Sequence, residues 1–230
     1  MTDRQEPGSA RRAPAPSASL AARLRDATRA LHTRAERAGV MPALLRGELD
    51  AVRYARLMRS LHAIYVALEA ALDRHAAHPL IAPLALSTLR RADAIADDLD
   101  ALRRAGTVDP TRALPRAARG YVERLGEVAA ERPERLVAHA YVRYLGDLSG
   151  GQMLASIVAR TYPPGAAGTR FYDFGPPERV RGHAQALRAA LDALDVDADV
   201  AQAIVDEAGD AFARHVRLFE EIAAGPTHAD

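Results

Sequence analysis

The sequence predicts an all-α, single-domain protein, and three features of its 230 residues carry that expectation. Alanine, leucine and arginine dominate the composition, a set that favours helix over strand. Apolar residues recur every three to four positions along most of the chain, the period of a helix with one buried face. The 15 glycines and 14 prolines fall mostly between the periodic segments, where they end helices. No stretch alternates as a half-buried strand would, and there is no internal repeat. A chain of this length can bury a sizeable core.

Taken in order, residues 1–18 are rich in Pro, Ser, Arg and Ala and lack the apolar centre of a secretory signal. They read as a disordered tail, leaving a domain over 19–224 and a short polar tail over 225–230. Leu20, Leu24, Ala27, Leu31 and Ala35 define a first helix reaching about Ala38. GVMPALLRGELD predicts a bend with a short helical turn. A second helix, from about Asp50 to His75, carries Leu57, Leu61, Ile64, Leu68 and Leu72 on one stripe. His78-Pro79 and Ala82-Pro83 break it. Ser87 or Thr88 is placed to cap a third helix ending near Ala105, and a fourth spans about Pro115 to Glu131. Pro133 suits the first turn of a fifth, which runs on through LVAHAYVRYLGDLSGGQMLASIVARTY. The stretch PPGAAGTRFYDFG is expected to be irregular. Helices from about Pro177 to Leu194 and from Asp199 to Ala224 close the chain.

Several function classes are excluded early. With 31 basic against 30 acidic residues, no overall field recruits nucleic acid. Every basic side chain except histidine is arginine. The absence of cysteine removes disulfides, zinc–thiolate sites, iron–sulfur clusters and thiolate-ligated haem. It also removes thiaminase-like chemistry through a cysteine. No run of about 18 apolar residues is present, so no membrane anchor is expected, and a cytoplasmic location follows. A di-iron helical bundle calls for Glu-x-x-His pairs, yet no histidine here has an acidic residue three positions before it.

Two segments carry chemistry. Arg25, Arg29, His32 and Glu36, at offsets of 4, 7 and 11, fall within an arc of about 60° on one helix face. A neutral imidazole there can bind iron, a carboxylate one turn away can orient it, and two guanidinium groups suit ligand carboxylates. The bland reading is a solvated face with an i,i+4 ion pair. In the second segment, Gly146, Gly150 and Gly151 lie inside a strongly helical run, where each glycine costs about 1 kcal/mol relative to alanine. Gly146 and Gly150 are one turn apart, so they open a groove for another helix or a flat ligand, and near-adjacent glycines permit a kink. Tight packing of helices through small residues is the bland reading here. Asp147 between the glycines weakens it, because a buried carboxylate is costly without partners.

HTRAE (His32–Glu36) resembles the proximal-helix motif of haem oxygenases, and HAYVRYLGDLSGGQ (His139–Gln152) resembles their distal-helix signature almost letter for letter. SLHAIYVALE (Ser60–Glu69) and AFARHVRLFEE (Ala211–Glu221) extend the resemblance over about residues 20 to 223. It implies an all-α haem oxygenase-like fold, with haem between a proximal N-terminal helix and a kinked distal helix. His32 is then the axial ligand to the iron and Glu36 its nearby carboxylate, while Gly146 and Gly150 bring distal backbone onto the ring face. Asp147 does not touch iron. It holds a water that supplies protons while keeping the O–O bond from breaking prematurely, with Tyr65 and Arg143 in the same hydrogen-bond network. Arg25, Arg29, Tyr141 and Arg181 match positions near the propionates.

The implied activity is cleavage of haem, both substrate and prosthetic group, by O₂ and electrons from a ferredoxin or flavoprotein reductase. Its products are biliverdin, chiefly the α isomer, CO and ferrous iron. The chain departs from the family pattern where arginine replaces lysine at propionate positions, and where a family arginine aligns with Gln185. Of the remaining histidines, His139 is assigned a structural role, His215 is a candidate border of the distal pocket, and His62, His75, His78, His183 and His228 are solvated or structural. The alternative in a different class is a haem-binding or delivery protein without turnover, and beyond it a helical adaptor that binds no small molecule. Simple binding needs none of Asp147, Tyr65 and Arg143.

Overall fold

The computed structural model describes residues 18–84, 86–106, 112–162 and 168–225. The two expected tails, apart from residues 18 and 225, lie outside that set, as does His228. Among the described residues all regular structure is helical, and no helix is long and apolar enough to cross a membrane.

Helix α1 (Leu20–Glu36) starts at Ser19, whose Oγ accepts the Ala22 N–H. A short α2 (Met41–Arg46) and a long α3 (Ala51–Arg74) follow, the latter capped by Asp50, which accepts the Arg53 N–H at 2.8 Å. The next helix, α4 (Ala92–Arg104), begins later than Ser87 or Thr88 would place it, because both belong to a 3₁₀ turn at Leu86–Leu89. Its cap comes from a distance. Glu69 of α3, buried, accepts the Arg91 N–H at 2.6 Å and the Ala92 N–H at 3.3 Å. The same device opens α5 (Arg116–Glu131), where the Glu221 carboxylate accepts the Arg116 and Ala117 N–H groups at 2.7 Å each. Negative charge at a helix N-terminus also complements the helix dipole.

The expected fifth helix is segmented. A 3₁₀ turn at Pro133–Arg135 leads into α6 (Leu136–Ala140), then a π-helical turn at Tyr141–Leu145, then α7 (Gly146–Thr161). Two long helices, α8 (Pro177–Asp192) and α9 (Ala198–Ala224), complete the fold.

Helix α9 is the hub. It packs along α1 and against α5 and α6, while α3 packs on α4 and α5. The turn between α1 and α2 is pressed onto α9 at Gly39, where a Cβ would sit 2.0 Å from the Phe219 carbonyl and φ is +51°. Only glycine fits there, and the contact lets Val40 donate to the Phe219 carbonyl at 3.2 Å. At the other end of α1, the Ala21 N–H donates to Asp192 at the close of α8, at 2.9 Å. Both ends of α1 are therefore fixed, and its His32 face lies beside α9 and across a cavity from α7.

Candidate functional site

His32 sits on the exposed stripe of α1 with its side chain 50% accessible. Its Nδ1 lies 3.5 Å from Glu36 Oε1, and its ring meets Phe212 of α9 edge-on at 6.0 Å. Among the described residues Nε2 has no hydrogen-bond partner, which leaves that nitrogen available for a metal.

Gly146 and Gly150 face open space. A Cβ built on either meets no atom within 4 Å. The reading of these residues as a packing seam therefore fails, and the glycine of the run whose Cβ would meet a neighbour is Gly151, at 3.5 Å from the Tyr172 carbonyl oxygen. They do not make the kink either: Gly146 has ordinary helical dihedrals, and the irregularity is the π turn just before it.

Two adjoining cavities of about 300 and 280 Å³ open between α1, the π turn with α7, and α9. They share His32, Val142, Gly146, Ser149 and Phe212, and together they have the size of a small-molecule pocket. The first is rimmed by polar groups, among them Arg25, Tyr141 and Arg188. The second is mainly apolar, with Leu44, Leu57, Leu61, Leu154 and Phe219, but Asp147, Arg143 and His215 converge on its distal side.

That polar cluster is connected throughout. The Tyr65 hydroxyl donates to Asp147 Oδ2. Arg143 uses three nitrogens: Nη2 donates to Asp147 Oδ1 at 3.0 Å, Nε to the Tyr65 hydroxyl at 3.2 Å, and Nη1 to His215 Nε2 at 2.9 Å. Burial pushes the Asp147 carboxyl well above the usual carboxylate range, while the Arg143 and Tyr65 donors favour its charged form. A carboxyl under opposing pressures of this kind suits proton handling. The wall beside it is held from α4. Asp98, buried, accepts the Arg170 N–H at 3.1 Å and the Phe171 N–H at 2.9 Å, so Phe171 and Tyr172 stay against the cavity.

The structure gathers most, not all, of the expected residues. His32, Glu36, Arg25, Tyr141, Arg143, Asp147, Gly146 and Gly150 all line the cavities, and Tyr65 stands one hydrogen bond behind. Tyr141 is positioned by its hydroxyl, 3.3 Å from Thr28 Oγ1 on α1. Arg29 lies outside both cavities, exposed and paired with Asp26 at 3.2 Å, an acid that Arg25 shares at 3.1 Å. Arg181 is exposed and also outside, as is Gln185. Arg188, not Arg181, lines the first cavity. It shares the same stripe of α8 two turns later, and the end of α8, not its start, abuts α1 through Asp192. His139 is buried away from the cavity between Tyr121 and Glu207.

Residues 18–221 match the family model described as "Heme oxygenase". The chain belongs to the haem oxygenase family. It is 35% identical to "Heme oxygenase 1" of Nostoc over 207 residues, which cover 90% of this chain and 87% of that protein. To human "Heme oxygenase 1" it is 36% identical over 215 residues, covering 91% and 73% respectively. The solved heme oxygenase of Leptospira interrogans superposes with a TM-score of 0.81 at 33% identity, over 89% of this chain and all of that one. Heme oxygenase-1 of Synechocystis, crystallised in complex with heme, also gives a TM-score of 0.81 at 33% identity, over 90% of this chain and 93% of that one.

Proposed function

We propose that the chain binds haem between α1 and α7 and opens the ring oxidatively, with O₂ and external electrons, to biliverdin, CO and ferrous iron. One observation carries the reading: an imidazole with a free Nε2 and two glycines with open space at their Cβ positions line the same cavity. The residues present fit a flat, largely apolar, dianionic group. Apolar side chains line the larger part of the space, and arginines stand at its polar rim.

When bound, haem supplies both the iron that activates O₂ and the carbon skeleton that is cut. His32 would hold the iron through Nε2, and Glu36, facing Nδ1 at 3.5 Å, would orient the ring. Gly146 and Gly150 admit the ring face without side-chain obstruction. Asp147, held by Tyr65 and Arg143, keeps a water on the distal side that delivers protons, and apolar neighbours exclude bulk water. Arg25, Arg188 and Tyr141 take the propionates, where charge-assisted hydrogen bonds set the in-plane orientation. With the orientation usual in the family, the product would be mainly α-biliverdin. Electrons come from a ferredoxin or flavoprotein reductase.

The test is aerobic turnover of the hemin complex with a reductase system, the pigment being identified by chromatography. Biliverdin at one equivalent per haem is the expected result, and stable ferrous haem with no ring opening would make the chain a carrier instead. Asp147→Ala should retain haem affinity while biliverdin yield falls about tenfold or more and peroxidase-like side activity rises. A normal yield would remove Asp147 from the proton path.

A further inference from the structure

The imidazole of His215 lies on α9 with both nitrogens engaged. Nδ1 is 2.8 Å from the Ala211 carbonyl oxygen, and Nε2 is 2.9 Å from Arg143 Nη1. A carbonyl can only accept and a guanidinium can only donate. The ring must therefore carry its proton on Nδ1 and present a lone pair at Nε2. Two independent partners fix one neutral tautomer.

The remaining surroundings agree. Tyr121 meets the ring edge-on at 5.0 Å and Phe219 tilts against it at 5.9 Å. His215 is 3% exposed. Burial, then the charge of Arg143, hold the imidazole well below its usual range, so it stays neutral where an exposed histidine titrates. A protonated ring would set two donors against each other across 2.9 Å.

Each of the three Arg143 nitrogens donates to a different element: α7 through Asp147, α3 through Tyr65, α9 through His215. Without the last, Nη1 loses its acceptor in a buried place, and the guanidinium is free to turn away from Asp147.

We infer that His215 is a positioning residue: as a neutral acceptor it fixes the Arg143 guanidinium, and through it the Asp147 carboxyl, on the distal side of the cavity. The role rests on the proposed haem chemistry, but its geometric half belongs to the protein alone.

The test therefore has two arms. In haem-free protein, ¹⁵N-edited NMR should show His215 as the Nδ1–H tautomer without titration across roughly pH 5.5 to 8, a range in which an unperturbed histidine titrates. A ring that protonates near the ordinary histidine value, or carries its proton on Nε2, overturns the inference. In the haem complex, His215→Leu and His215→Gln are compared, because glutamine can place an acceptor oxygen near the position of Nε2 and leucine cannot. Leucine should lower kcat about tenfold with haem affinity within about twofold, and glutamine should recover most of that loss. Equal losses in both variants, or none in the leucine variant, overturn the positioning role. If the leucine variant fails to fold, the NMR arm decides. A wild-type complex that binds haem without opening it counts against the proposed function, and the NMR result stands apart from it.

Discussion

Two histidine–glutamate pairs occupy this molecule under opposite conditions. His139 is fully buried; its Nδ1 lies 3.1 Å from the Tyr121 hydroxyl and its Nε2 3.1 Å from Glu207 Oε1. Glu207 in turn accepts from Arg124 at 2.7 and 3.1 Å and from Arg135 at 3.4 Å. His32 and Glu36 are half exposed and 3.5 Å apart, with Phe212 edge-on to the imidazole ring. The residue types are the same. One pair has both imidazole nitrogens committed to the fold, and the other keeps a nitrogen in reserve at a cavity. Saturation of the partners, more than identity of the residue, separates the histidine built into the fold from the one with a nitrogen to spare.

Substitution should pull the two pairs apart in opposite ways. The largest effect belongs to His32→Ala. Outer-shell partners of a metal are worth about 10–100-fold, so losing the ligand itself should reduce turnover by more than ~100-fold and change the visible spectrum of the complex. Added imidazole should restore part of both. Because His32 is exposed, the melting temperature should hardly move, and an unchanged spectrum would show that another group holds the iron.

Glu207→Gln should do the reverse. Burial alone would raise this carboxyl, but hydrogen bonds from His139 and Arg124 outweigh it and hold it at about 2. Against the ordinary glutamate value of 4.5, that depression is worth on the order of 3 kcal/mol. The contribution is fully present above about pH 4.5 and lost as pH falls towards about 2. Denaturant titration of Glu207→Gln should show a loss of about that size near neutral pH and a flatter acid limb, while the spectrum of the haem complex stays native. A spectral change with intact stability would place Glu207 in the site and undo the contrast.

Smaller effects test the rim. Arg25→Ala with Arg188→Ala should weaken haem binding about tenfold, a modest sum for two solvent-screened contacts, and broaden the biliverdin isomer mixture. Arg29→Ala should do neither. Among the cavity-lining residues, the smallest change is expected from Glu36→Gln, about threefold in turnover, since an exposed carboxylate at 3.5 Å orients the imidazole weakly. A loss as large as that of His32→Ala would mean Glu36 does more than orient the ring.

Much of this was legible in the sequence, for reasons that also mark where reading stops. Helix periodicity placed His32 and Glu36 on one face, and an unbroken local motif carried Arg143, Gly146, Asp147 and Gly150 together. The helix boundaries came within a few residues wherever a local side chain capped them, as Ser19 and Asp50 do. At α4 the expectation failed because the capping carboxylate, Glu69, is 22 residues away from the Arg91 N–H it accepts. That Arg188 lines the cavity and Arg181 does not was hidden for a similar reason. Periodicity identifies the stripe but not which end of it meets α1, and that is decided by the long-range bond from Ala21 to Asp192. His215 was visible only as a candidate, since its value lies in a partner on another helix.

The π turn at Tyr141–Leu145 bears on how this helix is counted. An additional residue rotates everything downstream by about 100°. Upstream, Val137, Ala138, His139 and Ala140 are all fully enclosed by the core; downstream, Gly146, Asp147 and Gly150 address the cavity. The upstream stretch is enclosed on every side and the downstream one has a face to satisfy, and the π turn sets the phase of that face. Length in this segment is thus constrained as tightly as chemistry. A helix shortened by one residue there could keep its full helical content and still turn another strip of side chains toward His32.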